Sequence, residues 1–375
     1  MRVVVAPDKF KGSLTAAEVV DAVAAGLLAA APDADVVRVP IADGGDGTVA
    51  AALSGGFTAV PVKASGPTGQ PVSATYARHD HQAVIELAGV CGLDLLPDRR
   101  PDPLGASTYG LGQVLAHAIT GGATDIVLGI GGSASTDGGA GMVQALGARL
   151  LDEQGRDLPQ GGAALRDLAR LDLTALRQAV DDVRIVVASD VDNPLLGPRG
   201  AAAVFGPQKG ASPADVVQLE RALAVWAERV AEATGTDFAS RAGAGAAGGT
   251  GYAALALLNA ELRPGIELML EWLDFDRVLS GADLVITGEG SLDEQSLAGK
   301  APVGVAKAAA RARVTTVAVA GRSLLSEERL RAAGISRAYR LADIEPDVEK
   351  SIANAEILLH EMGQRIASDW LLDRS

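Results

Sequence analysis

The stretch Ile126–Gly141, IVLGIGGSASTDGGAG, decides how the chain is read. It opens as a short apolar run, Ile126-Val127-Leu128, and breaks into glycines with Ser133, Ser135, Thr136 and Asp137 between them. Met142, Val143, Leu146 and Leu150 then follow at helical spacing. A buried strand leading through a glycine loop to a helix N-terminus is where an α/β protein presents backbone N–H groups to an anion. Hydroxyls and a carboxylate in that loop are more polar chemistry than a turn requires, although a plain structural turn is the alternative.

Other strand ends carry the same signature. Arg2–Ala6 reads as a strand, and Thr15 as the N-cap of the next helix, with Glu18 as capping-box partner and Leu14 against Val19 as a staple. Asp8, Lys9 and Lys11 therefore fall on a strand-to-helix loop, the end of a parallel sheet where ligands bind. Val36–Pro40 reads as a second strand, running into Asp43-Gly44-Gly45-Asp46-Gly47. Carboxylates in such a loop hold a divalent cation or orient a hydroxylated substrate. Phe57–Leu87 has the alternation of antiparallel hairpins, with turns at Gly66–Gly69 and around His79 and His81.

Thr108–Thr120 reads as a helix, and Asp152-Glu153-Gln154-Gly155 as a turn between short strands. Asp181–Ser189 is an apolar run delivering Asp190, a position suited to a catalytic base or a metal ligand. Ser212 and Pro213 open a helix that runs to about Gly235. The run Ala242–Gly251 is either a flexible linker or a tight backbone approach to a ligand. Asp283–Thr287 reads as a strand ending in a Gly288–Asp293 loop with Glu289 and Asp293, followed by Lys300. That segment is no P-loop, because Glu294 stands where a glycine is needed and Ala301 replaces the hydroxyl residue. Val314–Ala320 and Arg337–Leu341 read as strands and Asp347–Leu372 as one closing helix. Strand–helix alternation from Asp283 onward predicts a parallel sheet.

Composition narrows the class. A length of 375 residues suggests two domains. A formal net charge of −14 without a basic patch argues against nucleic acid or anionic membrane as partner. The single cysteine, Cys91, excludes an intramolecular disulfide framework and a cysteine-based metal site. Neither a signal-peptide pattern nor an apolar run of membrane-spanning length is found, so the expected location is the cytoplasm. No Ser/His/Asp order and no zinc spacing stands out. Glycine loops, lysines and carboxylates together fit phosphoryl transfer, which needs amides and lysines for phosphates and carboxylates for Mg²⁺.

The blocks APDKFKGSLTAAE (Ala6–Glu18), PIADGGDGT (Pro40–Thr48), GIGGSASTDGGAGM (Gly129–Met142), ASDVDNPLLGPRGAAAVFGPQKGA (Ala188–Ala211), GAAGGTGYA (Gly245–Ala253) and TGEGSLDEQSLAGKAPVGVA (Thr287–Ala306) resemble the type-1 glycerate kinase family. Leu292 and Gln295-Ser296 depart from the family pattern conservatively. The resemblance implies Mg²⁺-dependent transfer of the ATP γ-phosphoryl group to the 2-hydroxyl of D-glycerate. It also implies two α/β domains, one Rossmann-like with a parallel sheet and one mixed with antiparallel hairpins, the active site lying in the cleft between them. We assign residues 1–55 and 265–375 to the Rossmann-like domain and 56–264 to the other, with 105–140 open to either.

Asp190 is expected to accept the hydroxyl proton, and Lys9 and Lys11 to hold the substrate carboxylate or a phosphate. Gly131, Gly132, Ser133, Ser135 and Asp137 are expected to line the site, with Asp8, Asp43, Gly44, Asp46 and Lys300 contacting substrate or ATP. Glu289 and Asp293 are the metal candidates. Two rivals remain: a nicotinamide-dependent dehydrogenase of a small hydroxy acid, since Gly129–Ala134 satisfies G-x-G-x-x-A, and a non-catalytic small-acid binding protein.

Overall fold

The computed structural model describes residues 1–372 except 43, 44, 46 and 298. In chain order the strands are β1 (Arg2–Val5), β2 (Asp35–Arg38), β3 (Thr58–Ser65), β4 (Pro71–His79), β5 (Gln82–Glu86), β6 (Asp125–Gly129), β7 (Arg149–Leu151), β8 (Arg170–Asp172), β9 (Arg184–Ala188), β10 (Glu261–Arg263), β11 (Leu284–Leu292), β12 (Thr315–Ser323) and β13 (Arg337–Arg340). The longest helices among the described residues are α1 (Ala16–Ala30), α2 (Tyr109–Thr120), α3 (Pro213–Thr234), α4 (Ala246–Leu257), α5 (Ala301–Arg311) and α6 (Ala355–Ala367).

The chain forms two compact units, residues 1–43 with 264–375, and residues 44–263. Residues 44–55 and 105–140 belong to the second unit. In the first, a parallel sheet has the order β13-β12-β11-β1-β2. Strand alternation loads both of its faces. Val3, Val5, Leu284 and Ile286 pack with α1 and α6, whereas Val4, Ala6 and Val285 pack with α5. Thr15 caps α1 with Glu18 in a reciprocal capping box, and Leu14 packs against the cluster that holds Val19.

The glycines of β11 misled the sequence reading. Asp283–Thr287 does not end in a loop at Gly288, because β11 stays paired with β12 as far as Leu292 opposite Ser323. Gly288 is there for proximity rather than for a turn: a Cβ on it would stand 2.2 Å from the Val319 carbonyl oxygen. The closing helix also differs from expectation. It is broken at Asn354 (φ −111°, ψ 18°), whose side chain donates to the Lys350 carbonyl and so competes with the backbone ladder.

The second unit has a six-stranded mixed sheet, β10-β9-β6-β5-β4-β3. β10, β9, β6 and β5 are parallel, and β4 and β3 add as antiparallel hairpins. Its main core joins β5, β6 and β9 to α2, α3 and α4, with Trp226 and Tyr252 fully buried. α3 begins at Ser212 in a capping box with Asp215 and ends at Gly235 in the left-handed conformation. The strand partner of β7 is not the segment just beyond the 152–155 turn. That segment makes only the isolated bridge Leu151↔Asp157, and β7 pairs antiparallel with the later β8.

Candidate functional site

In the second unit three strand ends lie side by side. Register places Glu86 of β5 beside Gly129 of β6, and Gly129 beside Ala188 of β9. The loop 130–139 and the Ser189-Asp190 turn therefore leave adjacent strands at the same edge. Glu86 accepts from the backbone N–H groups of Gly47 (2.7 Å) and Val49 (3.3 Å). It thereby caps the short helix Thr48–Ser54, whose own N-cap residue, Gly47, has no side chain to do so.

The loop from Gly131 to Gly139 is an enclosed scaffold with an open shoulder. Gly132 is exposed and Gly131 half-buried, whereas Ser133, Ser135 and Asp137 are buried. Asp137 acts as an internal anion. One carboxylate oxygen accepts from Thr108 N–H and Oγ1, both at 2.8 Å, and from Gly141 N–H at 3.2 Å. The other accepts from Gly139 N–H at 3.2 Å. The helix N-terminus that the sequence offers to a ligand anion is thus occupied by the loop's own carboxylate. That arrangement also removes the pyrophosphate seat a dinucleotide fold needs at that point.

Behind the loop lies Lys209, at the end of a short 3₁₀ turn and 2% exposed. Its ammonium donates to Ser133 Oγ at 2.7 Å and to the Ser135 carbonyl at 2.5 Å. Burial pushes the amine down to about 7, against the opposing pull of Asp137. The run Ala242–Gly251 is no linker. Ala247, Gly248 and Gly249 have left-handed backbone, and a Cβ on Gly248 would lie 2.1 Å from the Ser135 carbonyl oxygen. The close backbone approach expected there is made to the 135–138 loop, where Gly138 N–H also donates to the Gly248 carbonyl. Trp226 Nε1 donates to the Gly138 carbonyl at 3.0 Å and ties α3 to the same loop. Burial also holds the thiol of Cys91, beside this loop, up to about 12, so it is an inert apolar residue.

The first unit has a second cluster of candidates at its topological switch point, between β1 and β11. Asp8 N–H donates to the Gly288 carbonyl at 2.8 Å, which continues the ladder and sets Asp8 opposite Glu289. Asp8 is buried and accepts from Lys9 N–H at 2.7 Å. Lys9 is half-buried and Lys11 exposed in the following turn. Asp293 lies just beyond β11 and accepts from Ser296 N–H. Lys300 is the N-cap residue of α5. Asp43, Gly44 and Asp46 lie outside the described residues. Among those described, no three His, Cys, Asp or Glu side chains group as a metal cage. No helix is long and apolar enough to cross a membrane.

Of the residues expected at one site, the structure sets Ser133, Ser135 and Asp137 in one loop beside the strand end that carries Asp190, and Asp8 opposite Glu289. The sequence reading missed Lys209, Glu86 and Thr108. Lys209 stood inside the quoted block Ala188–Ala211, but a lysine far along the chain gives no sign of the fold that inserts it behind the loop.

The comparisons with known proteins agree with this geometry. The model of the glycerate kinase family matches residues 3–371. A glycerate kinase of Halalkalibacterium halodurans is 43% identical over 375 residues, covering 98% of each chain. A glycerate 2-kinase of Escherichia coli is 44% identical over 324 residues, covering 86% of this chain and 85% of its own. A Salmonella typhimurium crystal structure, assigned as glycerate kinase 2, superposes with a TM-score of 0.87 at 41% identity, covering 100% of this chain and 99% of its own. With its loops, strand order and sequence all of one pattern over nearly its whole length, the chain belongs to the glycerate kinase family.

Proposed function

We propose that this protein transfers the γ-phosphoryl group of ATP to the 2-hydroxyl of D-glycerate, giving 2-phosphoglycerate and ADP in the cytoplasm. The observation that carries the reading is the adjacency of the 130–139 loop and the Asp190 turn on one sheet edge of a chain of this family. Phosphoryl transfer asks the protein mainly for positioning and for charge stabilisation. Asp190, exposed at its strand end, accepts the proton of the attacking hydroxyl. Gly131 and Gly132 allow close approach of a ligand to the loop backbone, and Ser133 supplies a hydroxyl. Ser135 and Asp137, fully enclosed, hold the loop in shape. Lys9, Lys11 and Lys300 balance phosphate or carboxylate charge, and Asp43, Gly44 and Asp46 complete the contacts to substrate.

Mg²⁺ fits the first unit. The Asp8 N–H donates to the Gly288 carbonyl, which sets Asp8, just beyond β1, opposite Glu289 of β11, and carboxylate oxygens are the ligands that Mg²⁺ takes. Glu289 of β11 and Asp293 just beyond it would hold the ion through carboxylate oxygens. An ion held there would supply positive charge against the phosphates of the nucleotide. The test is a product-resolved assay. With ATP, Mg²⁺ and D-glycerate, phosphorus NMR should show 2-phosphoglycerate and ADP in equal amounts. The 3-isomer would overturn the regiochemistry, and ADP release indifferent to D-glycerate would overturn the reaction.

A further inference from the structure

Lys209 is held between two glycine-rich segments of one unit. Its ammonium donates to Ser133 Oγ at 2.7 Å and to the Ser135 carbonyl at 2.5 Å. A Cβ at Gly248 would come within 3.0 Å of the same nitrogen. An ammonium has three donors and no acceptor. Ser133 Oγ therefore accepts from Lys209, and its own proton is left to point elsewhere. Ser133 adjoins the exposed Gly132, at the open shoulder of the loop, while Ser135 is fully enclosed. Because a trans peptide is planar, drawing the Ser135 carbonyl inward turns the Thr136 N–H the opposite way.

We propose that Lys209 is a positioning residue that occupies the acceptor side of Ser133 and so commits the Ser133 O–H to donate to an anionic oxygen of the bound ligand. This deepens the kinase reading above and rests on it. The oxygen belongs either to a nucleotide phosphate or to the substrate carboxylate. A purely structural filler would be better served by an apolar side chain, since enclosing a lysine is costly. The amine's lowered value, about 7, gives the arrangement a handle. Once deprotonated, its lone pair accepts the Ser133 proton and turns that hydroxyl away from the ligand. Asp137 is the one titratable residue on the two segments packed against Lys209, 133–138 and 246–250.

The test is calorimetric titration of ADP and of D-glycerate, separately, into the full-length wild type, Ser133→Ala, Lys209→Met and the double variant. Titrations are run at about pH 6 and about pH 8.5, either side of the amine's value of about 7. One ligand should lose about tenfold in affinity in each single variant, the worth of a hydrogen bond to a charged acceptor, and no more in the double variant. Wild-type affinity for that ligand should fall from the lower to the higher pH, and Ser133→Ala should abolish the fall. The ligand that responds identifies the source of the oxygen. Losses that multiply in the double variant, no change for either ligand, or a pH step that survives Ser133→Ala would each overturn the proposal. If Lys209→Met does not fold, as judged by circular dichroism, the pH comparison with Ser133→Ala decides alone. Wild-type turnover of ATP with D-glycerate is measured on the same preparation. Its absence overturns the kinase reading, whereas normal turnover with unaltered Ser133→Ala binding overturns only the role of Lys209.

Discussion

At the scale of single residues, acid groups of one type divide into different roles by enclosure. Asp137 is fully buried and spends its lone pairs on Thr108, Gly139 and Gly141. Asp190 stands exposed at the end of its strand. Replacing Asp190 by Asn should lower kcat by about 100-fold or more, the usual worth of a general base. Because the site is exposed, the melting temperature should hardly move. Near-normal turnover would remove Asp190 from the proton transfer. Gly248 is expected to behave in the opposite way. Its left-handed φ of +67° and the 2.1 Å approach to the Ser135 carbonyl leave no room for a methyl group. Gly248→Ala should cost roughly 2–3 kcal/mol in urea unfolding, from backbone strain and overpacking together. An unchanged urea midpoint would show that the 135–138 loop yields freely.

At the scale of elements, the caps were the most legible feature. Thr15 with Glu18 and Ser212 with Asp215 are local devices, complete within four residues, so sequence alone specifies them. Thr15→Ala should cost about 1 kcal/mol of stability, read as a shift in the denaturant midpoint at constant m-value. It should leave KM for ATP untouched. A shift in that constant would mean that α1 positions the Asp8–Lys11 turn rather than merely following it. Glycine-rich runs were the least legible elements. In β11 glycine permits close strand pairing, and at 248–249 it permits left-handed backbone against another loop. Sequence shows the same letter for both, because the atoms that require it come from elsewhere in the chain.

At the scale of the whole molecule, the buried titratable groups shape how stability depends on pH. Lys209 binds its proton more weakly in the folded chain, at about 7, than an unfolded lysine does. Above that pH the unfolded state holds the extra proton, so stability rises with pH. Cys91, pushed up to about 12, and Tyr252, also raised by burial, hold their protons more tightly when folded. Stability is therefore lost once pH climbs past the ordinary thiol range, near about 8.5. Melting temperature should rise from pH 7 to a maximum at about pH 9 and then fall. Lys209→Met should flatten the rising limb, and Cys91→Ala should blunt the early part of the decline. A rising limb unaltered in Lys209→Met would assign the titration to another group.

By itself the sequence determined the class of each main element, the parallel sheet of the first unit, the hairpins of the second and the family. Each of these rests on periodicity, capping and motif order, which act over a few residues or are copied as a pattern. Only the tertiary structure decided that Asp137 accepts from Thr108 and from its own loop, that β11 runs on through its glycines and that Lys209 stands behind Ser133. Those outcomes depend on which groups meet across 76 residues of chain in the case of Lys209 and Ser133, or 29 in that of Thr108 and Asp137. The strength of a buried polar contact comes from the exclusion of water, and that exclusion exists only once the surrounding elements have packed.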